Sequence, residues 1–358
     1  MPKILAFTIR PVEAADTRYR ILLYKSHFKR AGFEINHRSF LTPSYWERQL
    51  GGQNRFSMVF FYLFYTLRRL LQIIFLAPRH DAIWIGRELS PIGPPWLERI
   101  LFMFNPRVVL DIDDAVYLRD IASNSFIHKR LRDFGKFARL APKYAKIVCG
   151  NSILAEYFQS FTNNLEIIPT VVQAERYAAI QHRPAQRLRI GWIGSPSNRY
   201  HLNLLDDAMK SLSMEQDFEF VVIGLTRPLD WTLPHIRYIN WELERECDYF
   251  SEFDIGVMPL YDSPFSRGKC AFKIIQYMAA GIPCVASPVG VNKQIVRHGE
   301  NGFLAGSAPE WGDCLGRLLN DQELRRKFGE AGRRTVEREY SLDVYWQRYL
   351  DIFREVVR

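Results

Sequence analysis

Short apolar runs alternate with longer segments along the whole chain. The runs include KILAFT, DAIWIG, RVVLDI and AKIVCG in the first half, and LRIGWIG, FEFVVIG, FDIGVMPL and IPCVAS in the second. The segments between them place apolar residues at helical spacing. This alternation predicts an α/β fold in which helices wrap parallel sheets.

A polar stretch at 173–186 interrupts the pattern between IIPTVV and LRIGWIG. A chain of 358 residues is long for one domain and suits two of about 150 to 190 residues each. We therefore predict a first domain at 1–172, a linker at 173–187, a second domain at 188–340 and a C-terminal helix at 341–358. This last helix has Ser341 as its expected N-cap and is expected to pack across a domain or back onto the first one.

The segment at 56–76 is apolar enough to suggest a transmembrane helix, but Arg68 and Arg69 lie near its middle. Each would cost about 2.5 to 3.5 kcal/mol in the bilayer centre, so we predict an amphipathic helix instead. Two roles remain open, namely packing on its own sheet and docking on a membrane surface. The apolar half of the predicted helix contains Phe60, Leu63, Phe64, Leu67, Leu71 and Ile74.

Positive charge is concentrated in the first third of the chain. Of a formal net charge of +9, residues 1–100 contribute 15 Lys and Arg against 7 Asp and Glu, a net of +8. Such a field favours nucleic acid, an anionic membrane surface or anionic substrates. The chain has no helix-turn-helix, zinc or aromatic RNA-binding pattern, so we expect no nucleic-acid partner.

The sequence gives no indication of a metal site or a bound cofactor. Its five cysteines are scattered without CxxC spacing, and its eight histidines show no ligand spacing. It also lacks a P-loop, a GxSxG elbow and a GxGxxG fingerprint. The first residues, MPKILAFTIR, resemble a strand rather than a signal peptide, so we expect a cytoplasmic protein.

The most informative stretch is SRGKCAFKIIQYMAAGIPCVASPVG at 266–290. It predicts a helix from Cys270 to Ala280, ended by Gly281 and followed by a strand. Lys269 and Lys273 lie one turn apart at the helix start, where cations oppose the helix dipole unless an anion is bound. A diphosphate held by backbone N–H groups and these lysines is our prediction; the alternative is a pair of solvated surface lysines.

Two further loops carry candidate residues. After the first strand, Arg18 and Arg20 open a predicted helix that Thr17 or Asp16 could cap, so Arg18 is a candidate for a phosphate or an anionic acceptor. In the second half, a glycine loop with Gly194 and Ser195 follows the strand in IGWIGSPSN.

The stretch at 266–290 resembles the signature of glycosyltransferase family 4, and the resemblance extends through VVIG, DIGVMPL, HGENGFLA and the terminal helix. It implies the GT-B fold of two facing Rossmann-like domains. It also implies a retaining, metal-independent glycosyl transfer, for which we expect a UDP- or GDP-sugar as the donor. The nucleotide sugar would be a substrate, with no cofactor. The basic first domain and the amphipathic helix suggest a glycan or lipid-linked acceptor of surface polysaccharide biosynthesis at the inner membrane face, and with it a peripheral location of the protein there.

The chain departs from the family pattern at the donor site. The positions of the family's two glutamates are Gly268 and Gln276, and those of its glycine-loop Arg and Lys are Ser195 and Tyr200. The resemblance still implies that Gln276 pairs with the donor ribose and that Lys269, Lys273 and Arg267 neutralise the diphosphate.

An acidic cluster, DIDD, with Asp111, Asp113 and Asp114, follows the predicted strand Arg107 to Leu110. In the GT-A fold a DxD motif at such a place holds a divalent metal, whereas in the GT-B fold the loop contacts the transferred sugar or the acceptor. The family resemblance favours the second role for Asp113 and Asp114. Two other functions stay open: a sugar-nucleotide 2-epimerase, and a nucleotide-sugar or glycan-binding protein without turnover.

Overall fold

The computed structural model of the protein describes residues 1–50, 55–119, 131–182 and 185–358, with the backbone alone at 47–50 and 55–59. The chain forms two compact units. The first comprises Met1–Thr170 and Tyr345–Arg358, and the second comprises Val171–Val344.

The first unit is built on a six-stranded parallel sheet. Its strands lie in the order β2-β1-β3-β4-β5-β6. The strand order reverses between β1 and β3, so the loops that follow these strands diverge and leave a crevice of the kind in which α/β proteins bind ligands. The strands are β1 Lys3–Thr8, β2 Glu34–Ser39, β3 Ala82–Gly86, β4 Val108–Ile112, β5 Lys146–Cys149 and β6 Leu165–Ile167.

The second unit contains another six-stranded parallel sheet, in the order β12-β11-β10-β7-β8-β9. This is the order of the dinucleotide-binding fold, with its reversal between β7 and β10. The strands are β7 Leu188–Ile193, β8 Phe218–Ile223, β9 Ile236–Ile239, β10 Ile255–Met258, β11 Cys284–Ala286 and β12 Phe303–Leu304. The predicted parallel sheets are therefore confirmed in both halves.

Helices connect the strands in both units. Those of the first unit are α1 Ala15–Arg20, α2 Lys25–Arg30, α3 Pro43–Leu50, α4 Arg55–Leu76, α5 Trp96–Phe104, α6 Lys136–Leu140 and α7 Ser152–Gln159. Those that follow are α8 Ala174–Ala178, α9 Asp206–Glu215, α10 Pro264–Arg267, α11 Phe272–Ala279, α12 Asn292–Ile295, α13 Ala308–Asn320, α14 Gln322–Glu339 and α15 Leu342–Val357. Short 3-10 helices lie at Leu22–Tyr24, Ala77–Arg79, Ala141–Lys143, Pro196–Leu204, Leu243–Arg245 and Asp248–Glu252. Helix α8 lies in the segment expected to be a linker, and its Tyr177 is buried.

Most of the C-terminal helix α15 belongs to the first unit. Packing back onto the first domain was one of the two arrangements expected for it. Its Tyr349 and Phe353 are fully buried, and their rings lie 5.0 and 4.9 Å from that of Trp84 in β3. Phe28 of α2 packs edge-on against Phe353 at 5.7 Å. The end of the chain thus completes the aromatic core of the first unit.

Helix α4 forms as predicted, but its orientation is the reverse of what amphipathicity suggests. Its arginine face packs on the sheet, and its apolar face is turned to the outside. Arg69 is fully buried and donates to the carbonyls of Thr8, at 2.7 Å, and Arg38. Arg68 donates to the carbonyls that end β2, and Tyr65 exchanges a hydrogen bond of 2.8 Å with Thr42. The polar half of the helix therefore packs on the sheet, because its guanidinium groups satisfy strand-end carbonyls, and the apolar half is exposed.

Candidate functional site

The loops that follow β7 and β8 meet at two glycines. The Gly194 amide donates to the Ile223 carbonyl at 3.0 Å, and a Cβ at 194 would lie 2.6 Å from the ring of Trp192. Gly224 has a φ of 89°, and a Cβ there would lie 2.5 Å from the Gly194 carbonyl oxygen. Glycine is therefore required at both positions, because a side chain would clash with the Trp192 ring or with the Gly194 carbonyl.

Lysines from the next motif reach this loop. A Cβ on Gly194 would lie 3.0 Å from Cε of Lys273, and the Lys273 ammonium lies 5.6 Å from the centre of the Trp192 ring. The Lys269 ammonium lies 5.1 Å from the ring of Phe265. The second sheet thus brings Lys273 together with Gly194, two of the candidate residues.

The helix that carries Lys273 begins two residues later than predicted. It starts at Phe272, after Ala271 in the left-handed conformation (φ 51°), a strained geometry for a residue with a side chain. Pro264–Arg267 forms a separate helical turn, α10, which the Ser263 hydroxyl caps. Lys269 therefore lies in the strained connection, and Lys273 lies in the first turn of the helix.

His201 joins this group, although the sequence pattern did not indicate a role for it. The side chain is 1% exposed, and its Nδ1 accepts a hydrogen bond of 3.1 Å from the backbone N–H of Tyr261. The proton of the neutral ring is therefore on Nε2, an atom with no hydrogen-bond partner in the described part of the chain. Burial, and then the charges of Lys269 and Lys273, lower the pKa of His201 to about 3.

The depressed pKa of His201 predicts a pH effect on stability. The unfolded chain takes up a proton on this residue below about pH 6.5, whereas the folded protein does so only near pH 3. Stability should therefore fall as the pH drops from 6.5 to about 4, by on the order of 2 kcal/mol from this group. In His201→Asn, which keeps an acceptor for Tyr261 but does not titrate, denaturant unfolding should show a smaller loss over this range. His235→Gln is the matched control, and equal pH profiles for both variants and the wild type would contradict the assignment.

The remaining second-unit candidates have protein partners. Arg267 is exposed and forms a bidentate pair with Asp262, with contacts of 2.6 and 2.9 Å. Gln276 is buried, and its amide donates to the Tyr177 hydroxyl at 2.9 Å. The Ser195 hydroxyl contacts Ser197 at 2.8 Å and accepts from Asn198. A phosphate or a ribose would have to compete with these partners, so the roles of Arg267, Gln276 and Ser195 remain predictions.

A second polar cluster lies at the carboxyl ends of β3 and β4 in the first unit. Arg87 has a left-handed backbone (φ 68°), and its guanidinium donates hydrogen bonds to both carboxylate oxygens of Asp113, one at 2.9 Å. It also lies 3.5 Å from Asp16 and 3.7 Å from Asp114. Burial alone would raise the pKa of Asp113, but the nearby Arg87 lowers it to about 2. Asp113 is thus an ionised group that is fixed in position by Arg87.

The arginines after β1 differ from the prediction. Neither Thr17 nor Asp16 caps the helix, which begins at Ala15 after an N-cap without a side-chain hydrogen bond. The Thr17 hydroxyl donates to the Arg10 carbonyl. Arg18 lies in the last turn of this six-residue helix and donates to the Val12 carbonyl at 2.7 Å. Arg18 therefore does not lie at a capped helix start. Its guanidinium is instead hydrogen-bonded to the loop before the helix.

The first aspartate of DIDD does not belong to the loop. Asp111 lies within β4, fully buried, where it accepts from Arg20 at 2.7 Å and from the Tyr349 hydroxyl. It is therefore unavailable to complete a DxD metal motif with Asp113. Among the residues that the structure describes, no group of three or more His, Cys, Asp or Glu is placed to hold a metal ion.

Neither Arg87 nor His201 was predicted as a site residue from the sequence. Only Arg87 could have been identified from a local sequence pattern. Arg87 directly follows the apolar run DAIWIG, so its place at the carboxyl end of a parallel strand could have been read from the sequence. His201 lies seven residues after the glycine loop, in a 3-10 helix. Its proximity to the lysines depends on the packing of two distant segments, which no local pattern encodes.

The family model described as "Glycosyl transferases group 1" matches residues 187–321. The chain is 32% identical to N-acetyl-alpha-D-glucosaminyl L-malate synthase of Bacillus anthracis over 91 residues, which cover 24% of this chain and 23% of that protein. It is 21% identical to the capsular polysaccharide biosynthesis glycosyltransferase CapM of Staphylococcus aureus over 266 residues, 74% of this chain and 65% of that protein. These alignments span less than two thirds of the relatives' own lengths.

Solved structures match the chain over almost its full length. Sucrose-phosphate synthase from Thermosynechococcus elongatus is 15% identical, with a TM-score of 0.72 and 99% of both chains covered. Anabaena Alr3699/HepE in complex with UDP-glucose is 14% identical, with a TM-score of 0.71, 99% of this chain covered and all of that chain. Together with the two parallel sheets, this likeness shows the α/β GT-B fold. Residues 187–321, within the second unit, are thus similar to the group 1 glycosyl transferases.

Proposed function

We propose that this protein transfers a sugar from a UDP- or GDP-activated donor to a glycan or lipid-linked acceptor, with retention of configuration and without a metal ion. The observation that carries the proposal is the grouping of Gly194, Lys273 and His201 at the carboxyl end of β7. This is the point where the order of the second sheet reverses, and α/β folds bind nucleotides at such points.

The chemistry of this group suits a diphosphate. The two lysines supply positive charge where a departing nucleoside diphosphate becomes more negative, and the Nε2–H of His201 supplies a neutral donor. Groups fixed before the reaction stabilise developing charge without reorganising. The same phosphate can accept the proton of the acceptor hydroxyl, so a separate general base is not needed. The name of the HepE structure describes a complex with UDP-glucose, which supports a uridine donor here.

The polar cluster of the first unit suits recognition of hydroxyl groups. Asp114 is less than half exposed, and Arg87 holds Asp113 ionised beside it. Charged carboxylates are strong acceptors for sugar hydroxyls. We therefore assign Asp113 and Asp114 to binding of the transferred sugar or the acceptor. The name of CapM, a capsular polysaccharide enzyme, supports a polysaccharide or glycoconjugate acceptor.

Thermal unfolding in the presence of nucleotides tests the donor site. UDP or GDP at 100 times its dissociation constant should stabilise the folded protein by about 2.7 kcal/mol and raise the unfolding midpoint, whereas CMP and ADP should raise it less. Lys273→Ala should reduce the shift, and Lys327→Ala, on the exposed face of α14, should leave it intact. No shift with any of the four nucleotides would contradict the proposal.

A second assay separates transfer from simple binding. With the nucleotide sugar identified by its thermal shift, release of free nucleotide should require a glycan or lipid-linked acceptor and should persist in a chelator. A shift without nucleotide release for any acceptor would favour a binding protein, and loss of turnover in the chelator would contradict metal independence.

A further inference from the structure

The exposed face of α4 is unusually apolar for a protein surface. Phe60, Leu63, Phe64, Leu67, Leu71 and Phe75 follow one another at intervals of one to four residues, and each is between 45% and 79% exposed. This spacing places them on one face of the helix. Among the described helices, one segment, Phe60–Arg79, is long and apolar enough to cross a membrane by length and composition alone. The buried Arg69 and the half-buried Arg68 of its other face instead fix it to the sheet of the first unit.

Helix α5 packs beside α4 and extends the same kind of surface. Met103 is 83% exposed, and Trp96 and Phe104 are more than one third exposed. Asn105 at the end of α5 donates to the carbonyls of Ala77 and His80, which joins the ends of the two helices. We call the exposed residues of α4 and α5 together the apolar face. Contiguous apolar surfaces of this kind mark sites of interaction with proteins or membranes.

The charges around the apolar face distinguish between these partners. Arg79, Arg99 and Arg107 are exposed on and next to the two helices. Helix α4 contains no acidic residue, and the single carboxylate of α5, Glu98, is buried against Lys136. Within the described parts of the two helices, the surface thus carries no exposed carboxylate, and Asp81, exposed just after α4, accepts a hydrogen bond from the Lys3 backbone N–H. The combination of apolar side chains and arginines is complementary to an anionic bilayer, whose interior takes up apolar groups and whose headgroups attract arginine.

We propose that the apolar face docks the protein on the surface of an anionic lipid bilayer. Helix α4 lies in the plane of the interface, with Leu63, Phe64 and Leu67 inserted among the acyl chains. The arginines at the ends of the two helices contact the lipid phosphates. This inference goes beyond the transfer reaction and does not depend on it, because binding to lipid can be measured without any sugar substrate.

Co-sedimentation with vesicles tests the proposal. The full chain should sediment with vesicles of phosphatidylcholine and phosphatidylglycerol, and less with phosphatidylcholine alone. Leu63→Asp/Leu67→Asp should weaken binding by about tenfold or more, because two exposed apolar side chains that would insert into the bilayer are replaced by charges. Arg99→Gln/Arg107→Gln should weaken binding to the anionic vesicles by about fivefold or more per arginine and leave binding to the neutral vesicles unchanged.

Met214→Asp is the matched control, since Met214 is 82% exposed on α9 of the second unit. It should bind vesicles like the wild type. Leu63→Ser/Leu67→Ser gives a milder version of the test should the aspartates affect folding. Absence of vesicle binding by the wild type would overturn the proposal, as would binding that the α4 variants do not change. A wild-type dimer that Leu67→Asp converts to monomer, without vesicle binding, would overturn it in favour of a second copy of the chain.

Discussion

Lys273→Ala is expected to lower kcat by about 100-fold while the folded protein remains intact. The side chain lies against Gly194 and the ring of Trp192, at the carboxyl end of the strand that opens the second sheet. It is only partly buried, so its removal leaves no large cavity. Loss of one fixed donor to a developing negative charge costs about 10² to 10³ in kcat in other enzymes. Steady-state nucleotide release measures the effect, and the thermal midpoint checks the fold.

Lys269→Ala should give a smaller loss in the same direction, because Lys269 lies in the connection before the helix and its ammonium is close to Phe265. Lys273→Arg keeps the charge and should recover part of the activity. Lys327→Ala again serves as the control for loss of a lysine. Wild-type turnover in both Lys269→Ala and Lys273→Ala would refute the assignment of the diphosphate to this group.

The parts of the fold that could be predicted are those that local patterns encode. Strands buried on both faces appear as apolar runs, and Gly281 marks the end of its helix because its φ of 72° suits glycine. The resemblance around Lys273 pointed to a donor site there, which stays a prediction. These predictions did not need knowledge of which segments meet in space.

The orientation of α4 could not be obtained from the same patterns. Amphipathicity places Arg68 and Arg69 on the solvent side of a helix. The structure buries Arg69, because the carbonyls of Thr8 and Arg38 are available at the strand ends to accept its hydrogen bonds. A helical wheel contains no information about unsatisfied groups on the opposite surface. The same limit explains the incorrect cap before Arg18, where Thr17 binds a distant carbonyl instead of the helix start.

The role of Asp111 also depends on long-range contacts. In the sequence it appears to be the first member of an acidic loop, but in the structure it is the centre of a buried network that joins three distant segments. Arg20 of α1 donates to Asp111 at 2.7 Å and to the Ile168 carbonyl at 2.8 Å. Tyr349 of α15 donates its hydroxyl to the other carboxylate oxygen. The network thus ties the C-terminal helix to the sheet of the first unit.

Arg20→Ala should destabilise the first unit by about 3 to 5 kcal/mol, because it leaves the buried carboxylate of Asp111 without its charge partner. The double variant Arg20→Met/Asp111→Leu removes both charges and should be more stable than Arg20→Ala. Hydrogen exchange of the β4 amides measures the free energy of opening of this unit separately from the second. Arg326→Ala breaks exposed ion pairs with Glu323 and Glu330 and should cost much less than Arg20→Ala, because solvent-exposed ion pairs contribute little to stability. Equal losses in Arg20→Ala and Arg326→Ala would show that the buried network does not hold the C-terminal helix in place.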